Sequence, residues 1–110
     1  MTNIIAIVMA LCTIESSNMA DAVGDGGQAV GILQICPVMV SEANRLHGSD
    51  RWTIEDRWSE MQSKQMAHLI LSKRATTLSK ACEVWNPQAG EWYFKRVESE
   101  LKRQKEIGYE

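Results

Sequence analysis

IESSNMADAVGDGGQAVGILQICP, residues 14–37, opens with a glutamate at the end of an apolar run and closes on a proline suited to start a helix. The run before it, IIAIVMALCTI, predicts a first helix from about Asn3 to Ser16. At about 100° per residue, Ile4, Val8, Leu11 and Cys12 fall on one stripe of that helix. Glu15 lies four residues after Leu11 and seven after Val8, so it continues the same stripe. Its carboxyl is therefore directed toward an apolar wall, where the charged form is disfavoured and the pKa rises. Negative charge at a helix C-terminus also opposes the macrodipole, so local stability gives no reason for a glutamate there.

Working outward, Gly24, Gly26, Gly27 and Gly31 make the segment between the two helices loop material. Asp25-Gly26 is a tight-turn pair and predicts a short irregular hairpin, able to wall one side of a groove. GILQIC is too short to decide between strand and helix. Pro37 opens a second helix, PVMVSEANRLHG, that stops near Gly48. Thr53 and Asp56 match a capping pattern and predict a third helix reaching about Arg74. Trp58, Met61, Met66, Leu69 and Ile70 would share one broad face of it. TTLSKACEVW reads as a fourth helix with Leu78, Cys82 and Trp85 at helical spacing, and NPQAG breaks it. A last helix begins near Glu91 with Tyr93, Val97 and Leu101 along one side. Its tail, ESELKRQKE, reads as a solvated face with Glu98 four residues before Lys102. The expectation is one domain over residues 1–110, mainly α (α+β), with about five helices and a short β-like loop.

Composition narrows the function classes. A chain of 110 residues with net charge −2 and no basic block lacks the phosphate-neutralising charge of a dedicated nucleic-acid binder, so no nucleic-acid partner is expected. Cys12, Cys36 and Cys82 form no CxxC, and with His47 and His68 they show no metal-ligand spacing. No metal and no cofactor are expected. The thiols read as buried and free, with one disulfide plus a free thiol as the other arrangement. IIAIVMALCTI lacks a positive n-region and a following cleavage site, and is too short to span a bilayer. It reads as a core helix, with no signal peptide and no membrane partner. GDGGQAVG is followed by no P-loop lysine, so phosphate cradling is not expected.

Three blocks then occur in a telling order: Glu15-Ser16 ending a helix, Gly31-Ile32-Leu33-Gln34 as a turn, and Trp85-Asn86-Pro87-Gln88-Ala89-Gly90 before the last helix. In this order they resemble the lytic transglycosylase domain and its relatives, the goose-type lysozymes. AVGDGGQAVGILQICP and EDRWSEMQSKQM look most like phage-encoded members. The resemblance spans about residues 3–105 and implies a lysozyme-like fold with the β-like loop walling the cleft. It also implies an enzyme that cleaves the linkage between N-acetylmuramic acid and N-acetylglucosamine, with peptidoglycan glycan strands as partner. The other implied class is a non-catalytic lysozyme-like module, either glycan-binding or a structural piece of a phage particle. Action on the bacterial cell wall without a signal peptide would imply delivery by a phage or release from the host cytoplasm, an endolysin role.

Residue by residue, the resemblance places Glu15 as the catalytic acid. Chemistry supplies an independent reason, because the leaving oxygen of a glycoside needs a proton from an acid still protonated near neutral pH. Asp25 matches a second carboxylate of goose-type lysozymes, a candidate for positioning the attacking water; turn chemistry alone would also choose Asp before Gly. Lytic transglycosylases lack that base and let the sugar's own hydroxyl close an anhydro ring. Gln34 and Asn86 match positions lining the sugar cleft, where amides both donate and accept. Each also has a local reading, Gln34 within its turn and Asn86 as a helix cap. Tyr93 matches a family tyrosine near the acid and reads equally as a core aromatic. Ser16 and Ser17 read as backbone-capping hydroxyls; Trp52, Trp58 and Trp92 have the faces to stack on sugars, but core packing is the favoured reading of each. Two positions depart from the pattern. Cys36 stands where goose-type enzymes carry a further aspartate, and Trp85 where the family often has tyrosine.

Overall fold

The computed structural model describes residues 3–108. The outermost residues of the expected 1–110 domain, 1, 2, 109 and 110, lie outside that range. Helix α1, Ile4–Ser16, is capped by Asn3, whose Oδ1 accepts the Ile5 N–H at 2.7 Å. Ala6, Ile7, Val8, Ala10, Leu11 and Cys12 are all buried. The apolar surface is therefore wider than one stripe, as a helix surrounded by others requires. It packs against α5 (Glu91–Glu106) and α3 (Glu60–Arg74). It ends without glycine. Ser17 and Asn18 take φ of 55° and 64°, and their N–H groups wrap back onto the carbonyls of Thr13 and Cys12.

The glycine loop forms the expected hairpin, with β1 (Val23–Gly24) antiparallel to β2 (Ala29–Val30). Its turn is one residue later than the sequence suggests. Gly26 and Gly27, at φ of 63° and 94°, occupy the centre, and the Gln28 N–H donates to the Asp25 carbonyl at 3.1 Å. Both central residues need positive φ, which a Gly-Gly pair supplies without strain, so Asp25 is displaced to the turn's first position. GILQI is neither strand nor helix. Gly31–Gln34 form a turn that doubles back, and Ile35 bridges Val30 in antiparallel fashion.

Helix α2, Pro37–His47, begins on its proline and ends at Gly48 as expected. The third predicted helix is divided. Thr53 and Asp56 do form a capping box, but it caps a five-residue 3-10 helix, Ile54–Trp58. A second cap, Ser59, whose Oγ accepts the Gln62 N–H at 3.2 Å, starts α3. The break shifts the helical phase. The buried face of α3 is Ser63, Met66, Ala67, Ile70 and Leu71, while Met61 (65% exposed) and Trp58 (44%) are outside.

Thr77 caps α4, Leu78–Trp85, which buries Ala81, Cys82 and Trp85. In α5, Tyr93, Val97 and Leu101 are buried as expected, yet the tail is not a plain solvated face. Glu100 and Gln104 are buried too, and Glu100 accepts from Arg103 rather than any pairing being formed between Glu98 and Lys102. The 3.6-residue stripe continues to the helix end and carries polar residues inward with it. The whole is a mainly helical compact domain, with five α-helices and one small hairpin among the described residues. No helix among them is long and apolar enough to cross a membrane.

Candidate functional site

The three sequence blocks meet around the Gly31–Gln34 turn. Ser16, at the end of α1, donates its Oγ–H to the Ile32 carbonyl at 2.7 Å, lies 3.1 Å from the Cys12 carbonyl and accepts the Met19 N–H. Trp85, at the end of α4, donates its indole N–H to the Leu33 carbonyl at 3.2 Å. One turn of four residues thus receives a bond from each of the other two blocks. The two bonds join pieces 16 and 52 residues apart along the chain. Ser16 does more than cap its own helix, and Trp85 is a buried strut whose N–H is fully used.

Beside this junction opens a groove of about 700 Å³. Glu15, Asp25, Gln34 and Asn86 all line it. The hairpin supplies Asp25, the end of α1 supplies Glu15, the turn supplies Gln34, and the residue after α4 supplies Asn86. Val38, Met39, Val84 and Pro87 add an apolar portion, and Cys36 lies among the polar ones. Val38 and Met39 lie at the start of α2 and Val84 at the end of α4, with Cys36 just before the one and Pro87 just after the other. Pro37 is the sequence signal that would have pointed to the first group, because it fixes where α2 begins.

Glu15 is half-buried, and the Tyr93 hydroxyl donates a hydrogen bond to its Oε2. Tyr93 is itself buried, 2% exposed, in the first turn of α5. Burial pushes the Glu15 carboxyl above the ordinary glutamate range; the Tyr93 bond and the nearby Arg96 cation pull the other way. Burial, with the negative charge of Glu15 beside it, pushes the Tyr93 phenol up, so it stays a donor. A protonatable carboxyl facing a groove and backed by a fixed donor can deliver a proton and then hold the resulting charge.

The other positions divide by their partners. Gln34, at φ 52°, donates from Nε2 to the carbonyls of Ala22 (3.2 Å) and Gly31 (3.0 Å). Both of its amide hydrogens are committed to the loop, so it braces the groove wall and can offer a ligand only its carbonyl oxygen. Asn86 caps α4 through its backbone N–H, bonded to Cys82, and among the described residues its side-chain amide has no partner. Asp25 is exposed at φ 51°, with no side-chain hydrogen bond to the described residues. Burial first, then the charge of Asp25, pushes the Cys36 thiol up, with Arg57 opposing and Glu15 adding to the rise. Cys12 and Cys82 are buried and pushed to about 11 by burial, and all three thiols are free. Of the tryptophans expected in the core, only Trp52 is there; Trp92 is 57% exposed, its ring edge-on to Tyr93. Its position at the solvent side of the first α5 turn lets Tyr93 take the inward one. Among the described residues no group of three or more His, Cys, Asp or Glu side chains is gathered for a metal ion.

No family model, curated protein or solved structure matches this chain.

Proposed function

We propose that this chain is a peptidoglycan-degrading glycosidase of lysozyme-like fold, cutting the linkage between N-acetylmuramic acid and N-acetylglucosamine with Glu15 as general acid. The observation that carries the reading is the Glu15 carboxyl, half-buried, raised in pKa and bonded to Tyr93 on the wall of the groove. Glu15 gives its proton to the glycosidic oxygen as the bond breaks. The carboxylate left behind is stabilised by the Tyr93 hydroxyl and by Arg96. Asn86 offers an unpaired amide to sugar hydroxyls and acetamido groups, and Val38 and Met39 offer surface to their apolar parts.

Two fates of the sugar fit this acid. Hydrolysis needs a base with room for a water, at about 6.5–9.5 Å from the acid. Asp25 is the carboxylate on the same groove that could serve. Intramolecular attack by the sugar's own hydroxyl needs no such base. The Cys36 thiol, with its raised pKa, stays neutral near pH 7 and is a poor water-activating base. A role in bacterial wall lysis, of the kind phage-encoded enzymes perform, is part of this proposal.

The test is clearing of a purified cell-wall suspension. Wild type is expected to clear it, and Glu15→Gln, which keeps the shape but not the proton, is expected to lose at least about a hundredfold in rate. Binding of glycan by wild type with no bond cleavage would instead support a non-catalytic module.

A further inference from the structure

Arg57 lies in the 3-10 helix Ile54–Trp58, behind the hairpin and outside the groove lining, and is 7% exposed. A guanidinium removed from water normally faces a carboxylate. Among the described residues Arg57 forms no ion pair. Its Nη1 donates to the Gln28 carbonyl at 3.0 Å and to the Ile35 carbonyl at 3.1 Å, and its Nε donates to the Ile54 carbonyl at 2.9 Å. Gln28 directly precedes β2, and Ile35 follows the Gly31–Gln34 turn. One charged group therefore ties both ends of the doubled-back segment to the helical body. Its backbone serves the same junction. The Arg57 carbonyl accepts the hydroxyl of fully buried Ser63, and it lies so close to Gly31 that a Cβ there would come within 2.0 Å of it.

We infer that Arg57 is the positioning residue of the groove's loop wall, acting through the backbone of Gln28 and Ile35 to set where Asp25, Gln34 and Cys36 stand relative to Glu15. Ser16 and Trp85 hold the middle of the Gly31–Gln34 turn, but the hairpin that carries Asp25 is otherwise thin. Each strand has two residues, and a two-stranded ribbon of that length does not hold its own shape in water. Gln34 braces it from within, by bonds inside the same loop, and so cannot fix its distance from the helices. Arg57 can, because Nη1 bonds both loop carbonyls while Nε of the same rigid plane is anchored on the Ile54 carbonyl, a second fixed point that a lysine ammonium lacks. Glu15 and Tyr93 belong to α1 and α5 and do not depend on this tie.

The inference builds on the proposed groove, but it is decided first by hydrogen exchange, which needs no activity. Arg57→Met, compared with wild type, should raise exchange at least about tenfold at the Val30, Gly31 and Ile35 amides while those of α1 and α5 stay protected. Arg57→Lys should fall between the two. The control is Val97→Ala, which opens a cavity in the core at α5 and lowers overall stability without touching the loop. With soluble peptidoglycan fragments, Arg57→Met should raise KM by about tenfold, more than it lowers kcat, and leave the alkaline limb of the pH profile in place. Val97→Ala matched for melting temperature should not reproduce that split. Unchanged exchange at the three amides, or an identical kinetic split in the Val97→Ala control, would overturn the assignment. Should wild type cleave nothing, the exchange arm still decides the role of Arg57, and the proposed function alone fails.

Discussion

At Glu15 three influences act on one proton, and their order sets the behaviour of the site. Burial disfavours the carboxylate, while the Tyr93 hydroxyl and the Arg96 cation favour it. Burial dominates, so the folded pKa exceeds the unfolded one. Folding then binds this proton more tightly, and the stability contributed below the unfolded pKa is lost as pH rises through the folded value. Glu15→Gln cannot ionise, so it should equal wild type in melting temperature at acid pH and exceed it at neutral pH. A thermal denaturation series across that range checks this, and equal melting temperatures at every pH would remove the case for a buried carboxyl. Tyr93→Phe deletes a donor to the carboxylate, which raises the Glu15 pKa further. The alkaline limb of the rate profile should therefore move to higher pH, with a lower maximal rate because the charge left on Glu15 loses its donor. The residue reading of Glu15 was accessible because a 3.6-residue period is enough to place it on the apolar side. The bond of the Gln34 amide to Gly31 fits the local reading within its turn; its second bond, to Ala22 across the loop, was not accessible, since a left-handed residue other than glycine leaves no pattern in the sequence.

Among the elements, the hairpin and the turn after it depend on two glycines that look alike in sequence and differ in surroundings. Gly26 and Gly31 both have positive φ, 63° and 84°. A methyl group on Gly26 meets open space, and one on Gly31 meets the Arg57 carbonyl. Gly26→Ala should therefore cost about 1–2 kcal/mol from backbone strain alone. Gly31→Ala should cost more than about 3 kcal/mol, because the loop must also move off Arg57. Urea titrations of the two variants measure the difference, and equal losses would mean the close approach is not present. The helix ends show the same limit of sequence reading. Asn3, Pro37, Gly48 and Thr77 mark boundaries through local chemistry, and local chemistry is what a sequence displays. Thr53 and Asp56 signal a helical turn without saying how long it lasts, so the break at Ser59 was missed and the exposed positions of Met61 and Trp58 with it. Glu100 and Gln104 mislead in the opposite way, polar residues carried inward by the period of α5.

For the whole molecule, what matters is that distant pieces of chain converge on one groove. Their order along the sequence was legible; their junction through Ser16, Trp85 and the Gly31–Gln34 turn depends on long-range packing that no local pattern encodes. The junction makes one chemical forecast. Cys36 lines the groove, whereas Cys12 and Cys82 are buried with pKa values near 11. Iodoacetamide at pH 8 should label Cys36 first in the folded protein, and soluble glycan fragments should slow that labelling. Mass mapping of the modified peptides reads both effects; labelling indifferent to glycan would place the ligand elsewhere. The central claim is that Glu15 supplies the proton that breaks a glycosidic bond. Its most direct test is the mass of the products that wild type and Glu15→Gln release from purified peptidoglycan. Wild type should release muropeptides cut at the N-acetylmuramic acid to N-acetylglucosamine bond, with anhydro ends one water lighter if the sugar's own hydroxyl closes the ring, and Glu15→Gln should release essentially none. The same fragments at wild-type yield from Glu15→Gln, or none from wild type, would contradict it.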